Sequence, residues 1–163
     1  MTLADVITNA LDPALALLPD AMDSAPARVM LLSIGLQESR FQYRQQIGGP
    51  ARGFWQFEQG NAKTRGGVWG IYLHDSTRYW LNEVCAAVRV PFDPVSIYGV
   101  LAQNDVLACA LARLALFADP RKLPDVADTD GAWALYQRVW NPGRPRPDSW
   151  AALHQQAVEA IQQ

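Results

Sequence analysis

The stretch ARVMLLSIGLQESRF, residues 27–41, decides the fold. Laid out as a helix at about 100° per residue, it places Val29, Leu32 and Leu36 on one side and Met30, Leu31, Ile34 and Phe41 on the other. A helix that is apolar all round belongs in an interior. Asp23 and Ser24 offer N-caps and Pro26 sits in the first turn, so the spacing predicts a helix reaching about Arg40.

Outward from this helix the chain reads as helices punctuated by glycine and proline. Residues 3–18 form a helix or helical pair, with Pro13 opening a second segment. After residue 41, Gly48-Gly49-Pro50 and Gly53 are loop chemistry. A short segment, FWQFE, follows, and then a second Gly-rich stretch around Gly66-Gly67. Asp75 or Ser76 is expected to cap a helix to about Val88, ended by Pro91 and Pro94. Asn104 or Asp105 starts the run VLACALARLALFA, stopped at Asp119-Pro120. Residues 130–140 form another helix, closed by Asn141-Pro142-Gly143, and Asp148 or Ser149 is expected to cap the last. No period-2 alternation is long enough for a sheet, and at most a small ribbon fits around residues 46–58. The expected class is mainly α, one domain over residues 1–163.

With half its 163 residues hydrophobic, the chain can bury a sizeable core without a disulfide or metal framework. Fourteen basic residues stand against sixteen acidic, with no basic run, which argues against nucleic acid as partner. Cys85 and Cys109 lie in apolar helical stretches, far from any C-x-x-C spacing. They read as two buried thiols of a protein folded in a reducing cytoplasm, with one bridge between them as the other reading. The N-terminal stretch has no positive region and is broken by Pro13 and Pro19, so it does not read as a signal peptide. No stretch approaches the ~20 apolar residues of a membrane span. No metal or cofactor pattern is present.

Glu38 falls angularly between Ile34 and Leu31, near the C-terminal end of the buried helix. Burial and the negative end of the helix dipole both disfavour its ionised form. A carboxylic acid kept protonated near neutral pH is what a glycosidic bond needs from a general acid. A solvated helix-end glutamate paired with Arg40, Arg44 or Arg52 is the competing reading.

Three local patterns bear on that choice. Glu38-Ser39-Arg40-Phe41 resembles the Glu-Ser-x-Phe signature of the soluble lytic transglycosylase family. Gly53-Phe54-Trp55-Gln56-Phe57 is similar to that family's Gly-Leu-Met-Gln-Ile segment, with aromatic residues at two positions. The stretch IGLQESRFQYRQQIGGPARGFWQFEQG and the later LYQRVWNPGRPRPDSW are also similar to small lysozyme-like proteins of bacteriophages and prophages. The resemblance implies a lysozyme-like, goose-type-related fold acting on peptidoglycan glycan strands. It makes Glu38 the acid and base, Ser39 a residue orienting the sugar or the Glu38 carboxyl, and Gln56 a substrate contact. Of the family's Ala-Tyr-Asn segment, Leu135-Tyr136-Gln137 keeps only Tyr136.

The implied setting is a phage lysis or wall-penetration protein, monomeric, without cofactor or membrane insertion. It would be made in the bacterial cytoplasm and would reach the wall by assisted release or within a virion. Trp55 and Phe57 are candidate sugar-stacking residues, with Phe54, Trp69, Tyr72, Trp140 and Trp150 as further aromatics. For a hydrolase needing a second carboxylate, Glu58 is the first candidate, ahead of Asp75 and Asp105. Without one, Glu38 serves twice and the product is a 1,6-anhydro sugar. His74 reads as a capping or surface histidine, and Arg52 as a contact for an anionic group. A lysozyme-like structural or binding module without turnover is the reading of a different class.

Overall fold

A computed structural model describes all residues from Met1 to Gln163. Helix α1 (Leu3–Val6) is capped by a reciprocal Thr2–Asp5 box and runs through a π-turn (Ile7–Leu11) into α2 (Asp12–Ala16), with Pro13 in the first turn. A 3₁₀ turn (Asp20–Met22) leads to α3 (Ala25–Ser39), where the Ser24 hydroxyl accepts from Ala27 N at 3.2 Å. The rest of the chain folds into α4 (Gly67–Leu73), α5 (Arg78–Val88), α6 (Pro94–Val100), α7 (Asp105–Ala118), α8 (Thr129–Trp140) and α9 (Pro147–Gln162). There is no sheet. The ribbon expected around residues 46–58 is reduced to two isolated bridges, Gln45 with Arg52 and Arg52 with Phe57.

Two short helices lie where only loop or helix-ending signals were read. Seven residues each, α4 and α6 are too short to show a helical period. Pro94 does not merely end α5; it opens α6, which Asp93 caps through Ser96 N at 2.8 Å. Two expected caps are also corrected. Neither Asp75 nor Ser76 caps α5, because the chain turns once more through Thr77, whose hydroxyl donates to Ile71 O at 2.7 Å. Neither Asp148 nor Ser149 caps α9. Pro147 takes its first position, and the Ser149 hydroxyl is drawn to Gln37 Oε1 at 2.9 Å.

Helix α3 is the axis of one contiguous core of 40 buried residues. Eleven of its fifteen residues are buried, on every side, as its sequence requires. Helix α9 lies along it, and α7 packs against α3, α5 and the π-turn. Cys85 and Cys109 are both free and buried in this core. No helix is long and apolar enough to cross a membrane.

The end of α3 positions the site. Arg40 and Phe41 both take left-handed backbone (φ 56° and 53°), a costly conformation for side-chain-bearing residues. The reversal sends the Phe41 ring back under its own helix, against Gly35, where a Cβ would fall inside the ring. Phe41 then meets Phe54 and Trp55 edge-on, with centroids 5.3 and 5.7 Å apart. This aromatic set packs against the end of α3, the helix that carries Glu38 in its last turn.

Candidate active site

Glu38 emerges from the last turn of α3 into a cleft of about 720 Å³. The cleft is lined from the 46–58 turn, the 58–67 loop with α4, and the end of α8 with the following loop. The Tyr136 hydroxyl, from α8, donates to Glu38 Oε1 at 2.7 Å. No protein donor reaches Oε2. The helix-end carbonyl of Glu38 is capped by Tyr43 Oη at 2.7 Å.

Burial raises the Glu38 pKa above its ordinary 4.5, partly opposed by the Tyr136 hydrogen bond and by the positive charge of Arg146. Tyr136 is pushed strongly upward by burial first, and then by the Glu38 charge and hydrogen bond, so its hydroxyl stays protonated. Because Tyr136 donates to Oε1, a proton taken up by the carboxyl is carried on Oε2, the oxygen left for a ligand.

The side chains that hold this geometry are not the ones that face the cleft. Ser39 is fully buried. Its hydroxyl donates to Phe54 O at 2.7 Å and accepts from Phe41 N at 3.1 Å. Expected to orient a sugar or the carboxyl, Ser39 instead ties the reversed end of α3 to the Phe54-Trp55 turn, and has no surface for a ligand. Trp55 is likewise fully buried, its Nε1 donating to Leu31 O at 2.8 Å. The expectation that its ring stacks on a sugar is corrected: the ring packs against Phe41 and Phe54.

Gln56, Phe57, Glu58 and Tyr136 do come together with Glu38 in the cleft lining. Gln56 takes φ 53°, and its Nε2 donates to Gly53 O at 2.9 Å, which fixes the amide in the wall. Phe57 is nearly covered and packs on Trp140, centroids 5.6 Å apart; Trp140 donates from Nε1 to Trp55 O at 3.0 Å. Trp140 is thus the tryptophan of the lining, whereas Trp150 is buried and stacks on Tyr136 at 5.1 Å and 15°.

Of the three candidate second carboxylates, Glu58 alone lines the cleft, and it is exposed. Asp105 is engaged by Arg44 through two bonds of 2.8 Å, and Asp75 is an exposed residue outside the lining. Arg52, expected near an anion, lies over the Tyr98 ring at 4.3 Å and is not in the lining. His74 does line the cleft. Its Nδ1 accepts from Ser76 N at 3.2 Å and lies 2.8 Å from Ser76 Oγ. No three His, Cys, Asp or Glu side chains converge on a point that could hold a metal ion.

Arg146 is the functional residue that sequence reading missed. It holds the 141–146 loop against α3 through a reciprocal pair: Arg146 Nη2 donates to Gln37 O and Gln37 Nε2 to Arg146 O, both at 3.0 Å. Gln37 and Arg146 are 109 residues apart, so no local pattern could have joined them.

The arrangement defines a half-buried carboxylic acid with one satisfied oxygen, opening into a long polar and aromatic cleft: a site suited to general acid–base chemistry. No protein-family model matches this chain, and neither does any curated protein or solved structure compared with it.

Proposed function

We propose that this chain cleaves the β-1,4 bond between N-acetylmuramic acid and N-acetylglucosamine in peptidoglycan, by lytic transglycosylation, in a phage lysis or wall-penetration role. The observation that carries the reading is Glu38 itself. It is a carboxyl raised by burial, held on one oxygen by Tyr136 and open on the other to a cleft large enough for several sugar rings. The Glu-Ser-x-Phe resemblance agrees with it, and a lysozyme-like fold is part of the same proposal.

Glu38 Oε2 gives its proton to the glycosidic oxygen, the C1–O bond of the muramic acid breaks, and the glucosamine leaves with a 4-hydroxyl. The Glu38 carboxylate then takes the proton of the C6 hydroxyl of the same muramic acid. That oxygen closes on C1, giving the 1,6-anhydro sugar and restoring the acid without water. The Tyr136 hydroxyl keeps Oε1 occupied through both steps. Arg146 stabilises the carboxylate formed between them.

A hydrolytic second reading rests on Glu58, an exposed carboxylate in the same lining that could activate a water. Digestion of purified peptidoglycan, with fragments read by mass spectrometry, separates the two. Anhydro-muropeptides from the wild type and none from Glu38→Gln sustain transglycosylation. Reducing ends, heavier by one water, transfer the role to Glu58. Fragments from neither protein would leave a binding module without turnover.

A further inference from the structure

The charge of the cleft is opposite to that of the chain. The chain carries a formal net charge of −2, yet the cleft lining holds three guanidiniums, Arg65, Arg144 and Arg146, against two carboxylates, Glu38 and Glu58. One of those carboxylates, Glu38, is held toward its neutral form. Elsewhere the arginines are largely spent on internal partners. Arg28, Arg44 and Arg138 form ion pairs, and Arg52 and Arg78 lie over aromatic rings. Arg146 is engaged with Gln37. Arg65 and Arg144 donate from their side chains to nothing in the protein, and both line the cleft.

The loops that carry them are built, not slack. The Arg65 loop is closed at its base by Val68 N to Glu58 O at 3.0 Å and Trp69 N to Gln59 O at 3.1 Å. Inside it, Asn61 Oδ1 accepts from Lys63 N and Thr64 N. Gly60, at φ 69°, lets the two ends of the loop touch, since a Cβ there would overlap the Gly66 carbonyl. The Arg144 loop is clasped to α3 by the Gln37–Arg146 pair and by Ser149. Each loop carries a guanidinium to the cleft, a planar fork whose N–H groups a carboxylate accepts in pairs.

We propose that Arg65 and Arg144 recognise carboxylates borne by the substrate, the free acids of the peptide stems, so that the cleft selects peptide-bearing glycan over neutral glycan. This rests on the reading of the cleft as a peptidoglycan site. Both guanidiniums are solvent-facing, so the preference weakens as salt screens it.

The test uses sacculi freed of phosphate-bearing polymers, either intact or with their peptide carboxylates converted to neutral amides. At subsaturating substrate the wild type releases fragments from intact sacculi roughly fivefold faster than from amidated ones, the scale of two exposed charge pairs. In Arg65→Gln/Arg144→Gln that ratio falls to near one, through KM and not kcat, and Arg65→Lys/Arg144→Lys restores part of it. Equal cleavage of both sacculi by the wild type overturns the proposal, as does a full ratio in the Gln/Gln variant. If the wild type releases nothing, the enzymatic reading has failed and pelleting of Glu38→Gln with each kind of sacculus decides this one. Co-sedimentation with intact sacculi alone, lost on adding the two Gln changes, sustains carboxylate recognition. Equal co-sedimentation with both kinds, or with neither, overturns it.

Discussion

Two of the polar contacts that helix α3 makes to distant helices have opposite characters. At Ser33 the hydroxyl donates to Val29 O at 2.7 Å and lies 3.0 Å from His154 Nδ1, while His154 Nε2 lies 3.0 Å from Val126 O. Both residues are buried, and each polar atom has a partner inside the protein. Five residues on, Glu38 meets Tyr136 through one oxygen and leaves the other to the cleft. One aromatic residue joins the two contacts: Trp150 stacks on Tyr136 and also on His154, at 5.9 Å and 19°. The difference teaches what separates a polar group closed inside the protein from one with an atom left for a ligand on the same buried helix. A closed set of hydrogen bonds specifies packing; a half-closed set stores reactivity.

Breaking the open contact has the largest expected effect. Glu38→Gln keeps the shape and the Tyr136 partner but has no proton to give, so fragment release falls by about 10³-fold, the usual scale of a general acid. Retained turnover would return Glu38 to the status of Ser33. Breaking the closed contact should act on stability instead. His154→Ala leaves the Val126 carbonyl without a buried donor and removes a ring from the stack, costing about 2–3 kcal/mol in denaturant melts while turnover survives.

Tyr136→Phe lies between these. It removes the hydrogen bond that favours the ionised carboxyl, so the Glu38 pKa rises further and the alkaline limb of kcat moves to higher pH. The loss in kcat is about tenfold, that of one misplaced hydrogen bond to a charged group. An unmoved limb would mean the Tyr136 bond does not persist with substrate bound.

The smallest effect has the least expected sign. The Glu38 pKa is raised in the folded state, so between the ordinary 4.5 and the folded value the native protein binds a proton that the unfolded chain lacks. Stability therefore falls as pH rises through that window, and the deficit is complete above it. Glu38→Gln should be more stable than wild type at neutral pH by about 1 kcal/mol, a usual cost of a functional residue. Below the ordinary carboxylate range the two should melt alike, since both are then neutral.

How much of this was legible follows from where the constraints lie. Helices α3 and α7 carry a side-chain cap and a long apolar run within one window, and α8 a clear Asn-Pro-Gly stop, so their spans emerge from the sequence. Helices α4 and α6 carry no such window. The place of Glu38 at the end of a buried helix was legible because a lone carboxyl among apolar residues stands out. Ser39 and Trp55 were misplaced because the same residues that mark a site can hold its frame. Seeing that Ser39 faces Phe54 requires the left-handed reversal at Arg40 and Phe41, two positions where side-chain-bearing residues give no advance sign of positive φ. Arg146 and Tyr136 reach Glu38 across about a hundred residues, a distance closed only by the packing of α9 on α3 and of α8 on α9.

The two cysteines bear on how the cleft can be watched. Burial pushes the Cys85 thiol up to about 11 and Cys109 higher still, so neither supplies the thiolate that maleimides and methanethiosulfonates attack. The native chain is therefore already silent toward such labels. A probe pair placed through Lys63→Cys and Gly143→Cys, exposed positions on the two loops with open space for a Cβ at Gly143, would be the reactive pair in the molecule. Distances between those probes would report the width of the cleft mouth, with and without glycan, in the otherwise unaltered protein.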